Sequence, residues 1–271
     1  MKDLHIHTKY SDGEYDEQEI VKKINDAKID EFAICDHDTI EGSKRVFNVL
    51  KSQNSKLIFH SGVELSCRVK ELFGGINVHL LVRDFDFNNK DISRLIEEIS
   101  ALRLQKINRM VDFVEKIYGV KISQEEIEQV LKNTKSFGKP HIFSLLSKHG
   151  KFDRELFYKN MNNLKTGDLK LDAIEVLHTF KDGGAVVTLA HPIEIMEEYN
   201  LAYNDIDGIV AYLKVNGLKG LETKHSKHTE KDAKIFSDIA KKYNLQESCG
   251  SDFHGEQVKP NVLLGVCEKN N

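Results

Sequence analysis

Tryptophan is missing from this chain of 271 residues, which holds only three prolines and four cysteines. With 40% hydrophobic and 30% charged residues besides, the composition excludes a fibrous or disordered chain and is that of a soluble globular protein. Cys35, Cys67, Cys249 and Cys267 lie far apart with no C-x-x-C pair, which speaks against a disulfide framework and a cysteine zinc site. They read as small buried residues. No apolar run approaches the roughly 20 residues of a membrane span, and Met1-Lys2-Asp3 leads into a strand-like segment without a signal-peptide core. A cytoplasmic protein with no membrane partner is expected. Strong charge of either sign is lacking too. At a formal net charge of −4, nothing draws nucleic acid or anionic lipid to the molecule as a whole. No stable binding of a nucleic-acid polymer is expected, and a phosphate-bearing substrate must be held by something local.

What is present is alternation. Short β-branched runs at 3–8, 31–36, 57–66, 76–82, 185–190, 218–223 and 246–251 are separated by amphipathic helical patterns, the signature of β-α units around a parallel sheet or barrel. Residues 16–27 carry Ile20, Val21 and Ile24 at helical spacing, and Thr229-Glu230-Lys231-Asp232 reads as a capping box opening a helix through Lys242. From 91 to 165 the pattern is helical only. A long helix with apolar positions from Ile92 through Leu95, Ile99, Met110 and Val114 to Ile117 ends at Gly119. A second starts at Ser123, and a third has Pro140 in its first turn and Gly150 at its stop. The expected organisation is a barrel domain of residues 1–90 and 166–271 interrupted by a helical insertion, a cap subdomain, at 91–165.

Chemistry-bearing residues collect near the strand ends. DLHIHTKYSDG places His5 and His7 two apart, so that both point to one side of a strand and can grip one cation. FAICDHDT offers His37 between two aspartates, and GVELS sets Glu64 among apolar neighbours, where a carboxylate is costly unless paired or metal-bound. INVHLLV carries His79, VVTLAHP ends on His191, and CGSDFHG repeats the two-residue spacing with Asp252 and His254. Active groups of such barrels gather at the carboxyl ends of the strands.

These stretches together resemble the four motif regions of the PHP family, named for polymerase and histidinol phosphatase domains. The likeness spans nearly all of the chain outside the helical insertion. It implies an α/β fold, a distorted (β/α)7 TIM-like barrel, and hydrolysis of phosphoesters with two or three divalent metal ions. One ion would be held by His5, His7, Glu64 and Asp252. A second would share Glu64 and add His79 and His191, and a third would take Asp12, His37 and His254. Some relatives have histidine at the position of Asp12. Asp3 and Asp38, beside the ligands, are expected to orient histidines or to cap backbone groups. Such ions outweigh the charge of Asp12, Glu64 and Asp252, so the site can bind phosphate and bring the pKa of a water toward neutrality for in-line attack on phosphorus. Ligation without thiolate suits Mn, Fe or Zn alike.

The helical insertion and its phrase GKPHIFSLLSKHG resemble a PHP subgroup acting on nucleotides, the 3′,5′-nucleoside bisphosphate phosphatases and 5′-to-3′ exonucleases on short RNA. Lys139 stands where that subgroup often has arginine, which keeps the charge and loses the bidentate fork. The resemblance implies Lys139, His141, His225 and His228 as substrate contacts and His228, Asp252 and His254 as catalytic residues, with His228 a candidate proton donor to the leaving oxygen. His60, His149 and His178 have no motif around them and read as structural. The implied activity is hydrolysis of phosphate monoesters or terminal phosphodiesters of nucleotides or short oligonucleotides. Histidinol phosphate hydrolysis and a non-catalytic, metal-stabilised module are the alternatives.

Overall fold

The computed structural model describes residues 1–133, 137–164 and 166–265. It divides into two compact units, Met1–Ile96 with Leu171–Asn271, and Glu97–Lys170. In chain order the first runs β1 (Lys2–Ile6), α1 (Glu17–Asp26), β2 (Glu31–Ile34), α2 (Glu41–Ser52), β3 (Ile58–His60), β4 (Gly62–Val69) and β5 (Ile76–Arg83). The helix α3 (Lys90–Tyr118) then carries the chain into the second unit, so the division falls within that helix; α4 (Gln124–Asn133), α5 (Lys139–Lys148) and α6 (Arg154–Asn162) follow. The first unit resumes with β6 (Leu171–Asp172), α7 (Ala173–Thr179), β7 (Val186–Leu189), α8 (Pro192–Tyr199), α9 (Tyr203–Val215), β8 (Gly220–His225), α10 (Glu230–Lys242) and β9 (Gln246–Gly250).

The fold is mixed α/β. The hydrogen-bonded strands form two sheets rather than one closed barrel: β1-β2-β3, all parallel, and β6-β4-β5-β7-β8-β9. Isolated parallel bridges join Ile6 to Phe253 and His37 to Glu64, linking the sheets at two places. Leu4, Ala33, Cys35, Leu81 and Ala190, contributed from both sheets, make one buried apolar cluster.

Two expectations about the sheet are corrected. The single run at 57–66 is two strands, because the chain changes sheets at Ser61. Its hydroxyl donates to the Phe85 carbonyl, and Gly62 follows where a Cβ would stand 2.6 Å from the Ile34 carbonyl oxygen. The sheet is also not wholly parallel. β5 runs antiparallel to β4 and β7, since residues 70–75 are too few for the crossover of a dozen or more that a parallel pair needs. Of the cysteines, Cys35 and Cys67 are buried, whereas Cys249 is only half-buried; Cys267 lies outside the described residues.

The helices follow their local signals. Asp16 caps α1 by accepting from the amides of Gln18 and Glu19, and Ile20, Val21 and Ile24 bury one face against Ile6, Phe32 and Ile34. In the second unit, Ile107, Met110 and Val114 of α3 pack with Ile142, Leu145, Leu146, Phe157 and Met161 into a separate core. Ile117, assigned to the apolar stripe by spacing, is 48% exposed. No helix among the described residues is long and apolar enough to cross a membrane.

Candidate metal centre

Glu64 lies in the middle of β4 with 1% of its surface exposed, and imidazoles surround it. Its Oε2 is 3.2 Å from His5 Nε2, 3.1 Å from His7 Nε2 and 3.1 Å from His37 Nδ1. Its Oε1 is 2.9 Å from both His79 Nδ1 and His191 Nε2. Burial alone would push the carboxyl up, but the imidazoles of His37, His5 and His79 hold it well below the usual carboxylate range. The sequence brings these groups together from separate strands: β1 supplies His5 and His7, β4 Glu64, β5 His79, and the residues just past β2 and β7 supply His37 and His191.

Asp252 joins from beyond β9, with Oδ1 3.3 Å from His7 Nε2 and 3.7 Å from His5 Nε2. Asp12 and His254 complete a neighbouring cluster. His254 Nε2 is 3.2 Å, His7 Nδ1 3.4 Å and His37 Nε2 3.7 Å from an Asp12 oxygen. Three groupings therefore have ligand atoms close enough to share an ion: His5-His7-Glu64, His37-Glu64-His79, and His7-Asp12-His37-His254. Seven of the nine residues expected as metal ligands fall in these groupings, while His191 lies beside Glu64 and Asp252 beside His7 and His5 without entering one. The grouping differs in that His37 and His7 each lie between two clusters.

The donor chemistry fits a divalent cation. His5 Nε2 and His7 Nε2 sit 3.1 Å apart against the same carboxylate oxygen, an arrangement of lone pairs that only a proton or a metal can join. His37 Nδ1 is buried with no partner in hydrogen-bond geometry among the described residues, and burial lowers that imidazole to about 4. A neutral, unpartnered nitrogen facing a carboxylate is a ligand poised for a metal. His191 at φ 24° and Asp252 at φ 56° occupy the left-handed region without being glycine, strain of the kind that collects at functional sites.

Of the residues expected to orient the ligands, Asp3 accepts from the amides of Ser251 and Gly265, and Asp38 from that of Ser66. They cap backbone. His225, expected to meet substrate, is buried with Nε2 3.4 Å from Asp252 Oδ2, and its Nδ1 accepts from the Lys227 amide. His228 donates from Nδ1 to the Thr223 carbonyl and packs on Phe236, and its Nε2 is buried. Lys139 and His141 lie in the helical unit, where Lys139 reaches Asn162 and His141 Nδ1 accepts the Gly138 amide as a helix cap. His60, His149 and His178 pair with Asp84 and Glu31, Glu126, and Asn216. Two charged groups went unnoticed in the sequence. Lys259 binds Asp252 Oδ2 from an irregular turn that carries no motif. Glu222, fully buried in β8 and 3.1 Å from His5 Nδ1, had a signal: it is an acid in an apolar strand, as Glu64 is.

The PHP domain profile matches residues 3–241. A 5′-3′ exoribonuclease of Haemophilus influenzae is 26% identical over 260 residues, 93% of this chain and 89% of its own. A phosphoribosyl 1,2-cyclic phosphate 1,2-diphosphodiesterase of Eggerthella lenta is 24% identical, over 94% of this chain and 95% of its own. Among solved structures, a Bifidobacterium adolescentis chain proposed to be a metal-dependent phosphoesterase superimposes with a TM-score of 0.70 at 24% identity, covering 98% of this chain and 91% of that one.

Proposed function

The chain belongs to the PHP domain family and is a phosphoester hydrolase, and from this we propose that it acts on 3′,5′-bisphosphate nucleotides or the ends of short oligonucleotides. The observation that carries the reading is Glu64, a buried carboxylate with both oxygens divided among five imidazoles. The exoribonuclease likeness supports the nucleotide class. In this reading β1, β2, β4, β5, β7, β8 and β9, taken with the two bridges between the sheets, make a distorted seven-stranded barrel. The helical unit is its cap subdomain.

Two or three divalent ions, of Mn, Fe or Zn, would be held by His5, His7, Glu64 and Asp252, by Glu64, His79 and His191, and by Asp12, His37 and His254. Bound there, they would supply Lewis acidity toward phosphoryl oxygens and a water acidic enough to be a nucleophile at neutral pH. The chain's own residues do the rest. Glu64 and Asp252 stay anionic despite burial because imidazoles surround them, and the Lys259 ammonium on Asp252 provides a fixed positive charge that a phosphate oxygen can approach. Burial lowers His228 to about 4, so near neutrality its ring has only the Nδ1 proton, already given to Thr223. We assign it a packing role, with solvent as the proton source for the leaving oxygen.

The test is phosphate release by Mn-, Fe- or Zn-loaded protein from adenosine 3′,5′-bisphosphate, 5′-phosphorylated short RNA, a ribosyl cyclic phosphate and histidinol phosphate. Turnover of the first two is expected. Turnover of histidinol phosphate alone would overturn the substrate class, and metal-loaded protein inert toward every phosphoester would favour a non-catalytic module.

A further inference from the structure

Glu222 belongs to none of the candidate ion-binding groups among the described residues, yet it touches His5, a member of one, and His191, whose ring lies on the Glu64 carboxylate shared by two. Its side chain is fully buried in β8. One oxygen, Oε1, lies 3.1 Å from His5 Nδ1, and the other accepts the backbone N–H of His191 at 2.7 Å. These partners arrive on different sheets, His5 on β1 and His191 just past β7. One carboxylate thus spans the distance between ligands far apart in the chain.

The fit is close. A Cβ at Gly250 would stand 2.1 Å from His5 Cβ and 2.8 Å from Glu222 Oε1, so glycine is required there to let the imidazole and the carboxylate meet. A β-bulge in β8 between Glu222 and Lys224 and another in β1 between Asp3 and Ile6 adjust where these side chains point, the use bulges commonly have beside active sites. His191 has its backbone at φ 24°, a strained conformation that a charge-assisted bond to its amide helps to hold.

We propose that Glu222 is the positioning residue of the metal centre. Its carboxylate accepts a hydrogen bond from the Nδ1–H of His5, which leaves the Nε2 lone pair facing Glu64 and Asp252, and it anchors the His191 backbone so that the ring reaches Glu64. The proposal rests on the metal-centre reading above but not on the substrate. A histidine ligand is commonly oriented by a carboxylate on its other nitrogen, and removing such a partner weakens metal binding by roughly 10–100-fold.

Two measurements test it. In Zn²⁺-loaded, ¹⁵N-histidine-labelled wild-type protein, His5 is expected to show a protonated Nδ1 and a coordinated Nε2; a protonated or unliganded Nε2 would overturn the proposal. By chelator competition, Glu222→Gln and Gly250→Ala are each expected to weaken Zn²⁺ affinity by about 10–100-fold, and a folded Glu222→Gln protein within twofold of wild type would also overturn it. Should both variants fail to fold, the wild-type ring spectrum decides alone. Wild-type protein with the expected His5 spectrum but no phosphoester turnover would sink the phosphoesterase reading and leave this one standing.

Discussion

Gly42, in the first turn of α2, shows how one missing side chain supports a site that it never touches. A Cβ there would stand 1.9 Å from Asp36 Oδ2 and 2.3 Å from Thr8 Oγ1, and that carboxylate cannot yield. It accepts from the Thr8 amide and hydroxyl and from the Ser11 hydroxyl, the bonds that fold the segment after His7. Alanine would gain up to about 1 kcal/mol of helix propensity, against about 1–3 kcal/mol for overpacking. Gly42→Ala is therefore expected to lower the free energy of unfolding by about 1–2 kcal/mol in denaturant titration. Gly208→Ala, exposed within α9 with nothing within 4 Å, should raise it by about 0.5–1 kcal/mol, so equal effects would refute the steric argument. His60 offers a pH test. The Asp84 carboxylate, with Glu31 on the other nitrogen, raises its pKa against burial and the charge of Arg83. A raised folded pKa gives stability that is full below about pH 6.5 and lost as pH rises through the folded value. The half-exposed setting keeps this below about 1 kcal/mol. The unfolding free energies of wild type and His60→Gln should differ most at pH 5–6 and converge by about pH 9; a constant gap would refute the assignment. Legibility at this scale followed one rule, that an acid inside an apolar strand needs a reason. It exposed Glu64 in GVELS and applied equally to Glu222 in GLETKH, where the histidines at the strand's end and beyond it, His225 and His228, were read as the chemistry instead. Lys259 was illegible because its turn has no periodicity.

Among the elements, α10 was the helix most plainly written. Thr229 accepts the Asp232 amide, and the Asp232 carboxylate accepts from the Thr229 amide and hydroxyl, as the Thr-x-x-Asp spacing implied. Thr229→Ala is expected to cost about 1 kcal/mol by thermal or denaturant unfolding while leaving Zn²⁺ affinity unchanged, because Thr229 touches none of the groups around Glu64. A matching loss of affinity would mean that α10 helps to shape the centre. The strands were harder to read. Period and composition located them, but pairing partner and direction depend on what the connections can span. The short 70–75 link forces β5 antiparallel, and Ser61-Gly62 moves the chain from one sheet to the other; neither changes the apolar pattern. Both sides of that break are β-rich, so 57–66 looks like one strand.

At the scale of the whole molecule, the centre draws ligands from residue 5 to residue 254, all within the first unit. The second unit has an apolar core of its own around Ile107, Leu145 and Phe157. The convergence was legible because each ligand sits in a short motif on a strand or in the segment just past one; how His7 and His37 are divided between neighbouring clusters depends on ring orientation, which no spacing encodes. Such a distribution couples metal binding to folding. An ion bound only by the folded unit stabilises it by about 2.7 kcal/mol at a hundredfold excess of free ion over Kd, roughly 5–10 °C in midpoint for a domain of this size. With two compact units, melting need not be a single transition. We expect calorimetry of the full chain to show one transition that climbs with the logarithm of free Zn²⁺ and falls on chelation, and another that stays in place. His7→Ala, which removes nitrogens facing Glu64, Asp12 and Asp252, should flatten the dependence of the first. His178→Gln, at the distant pairing with Asn216, should preserve it. A wild-type profile indifferent to Zn²⁺, or a His7→Ala protein that still tracks it, would mean that the cluster of imidazoles and carboxylates holds no ion.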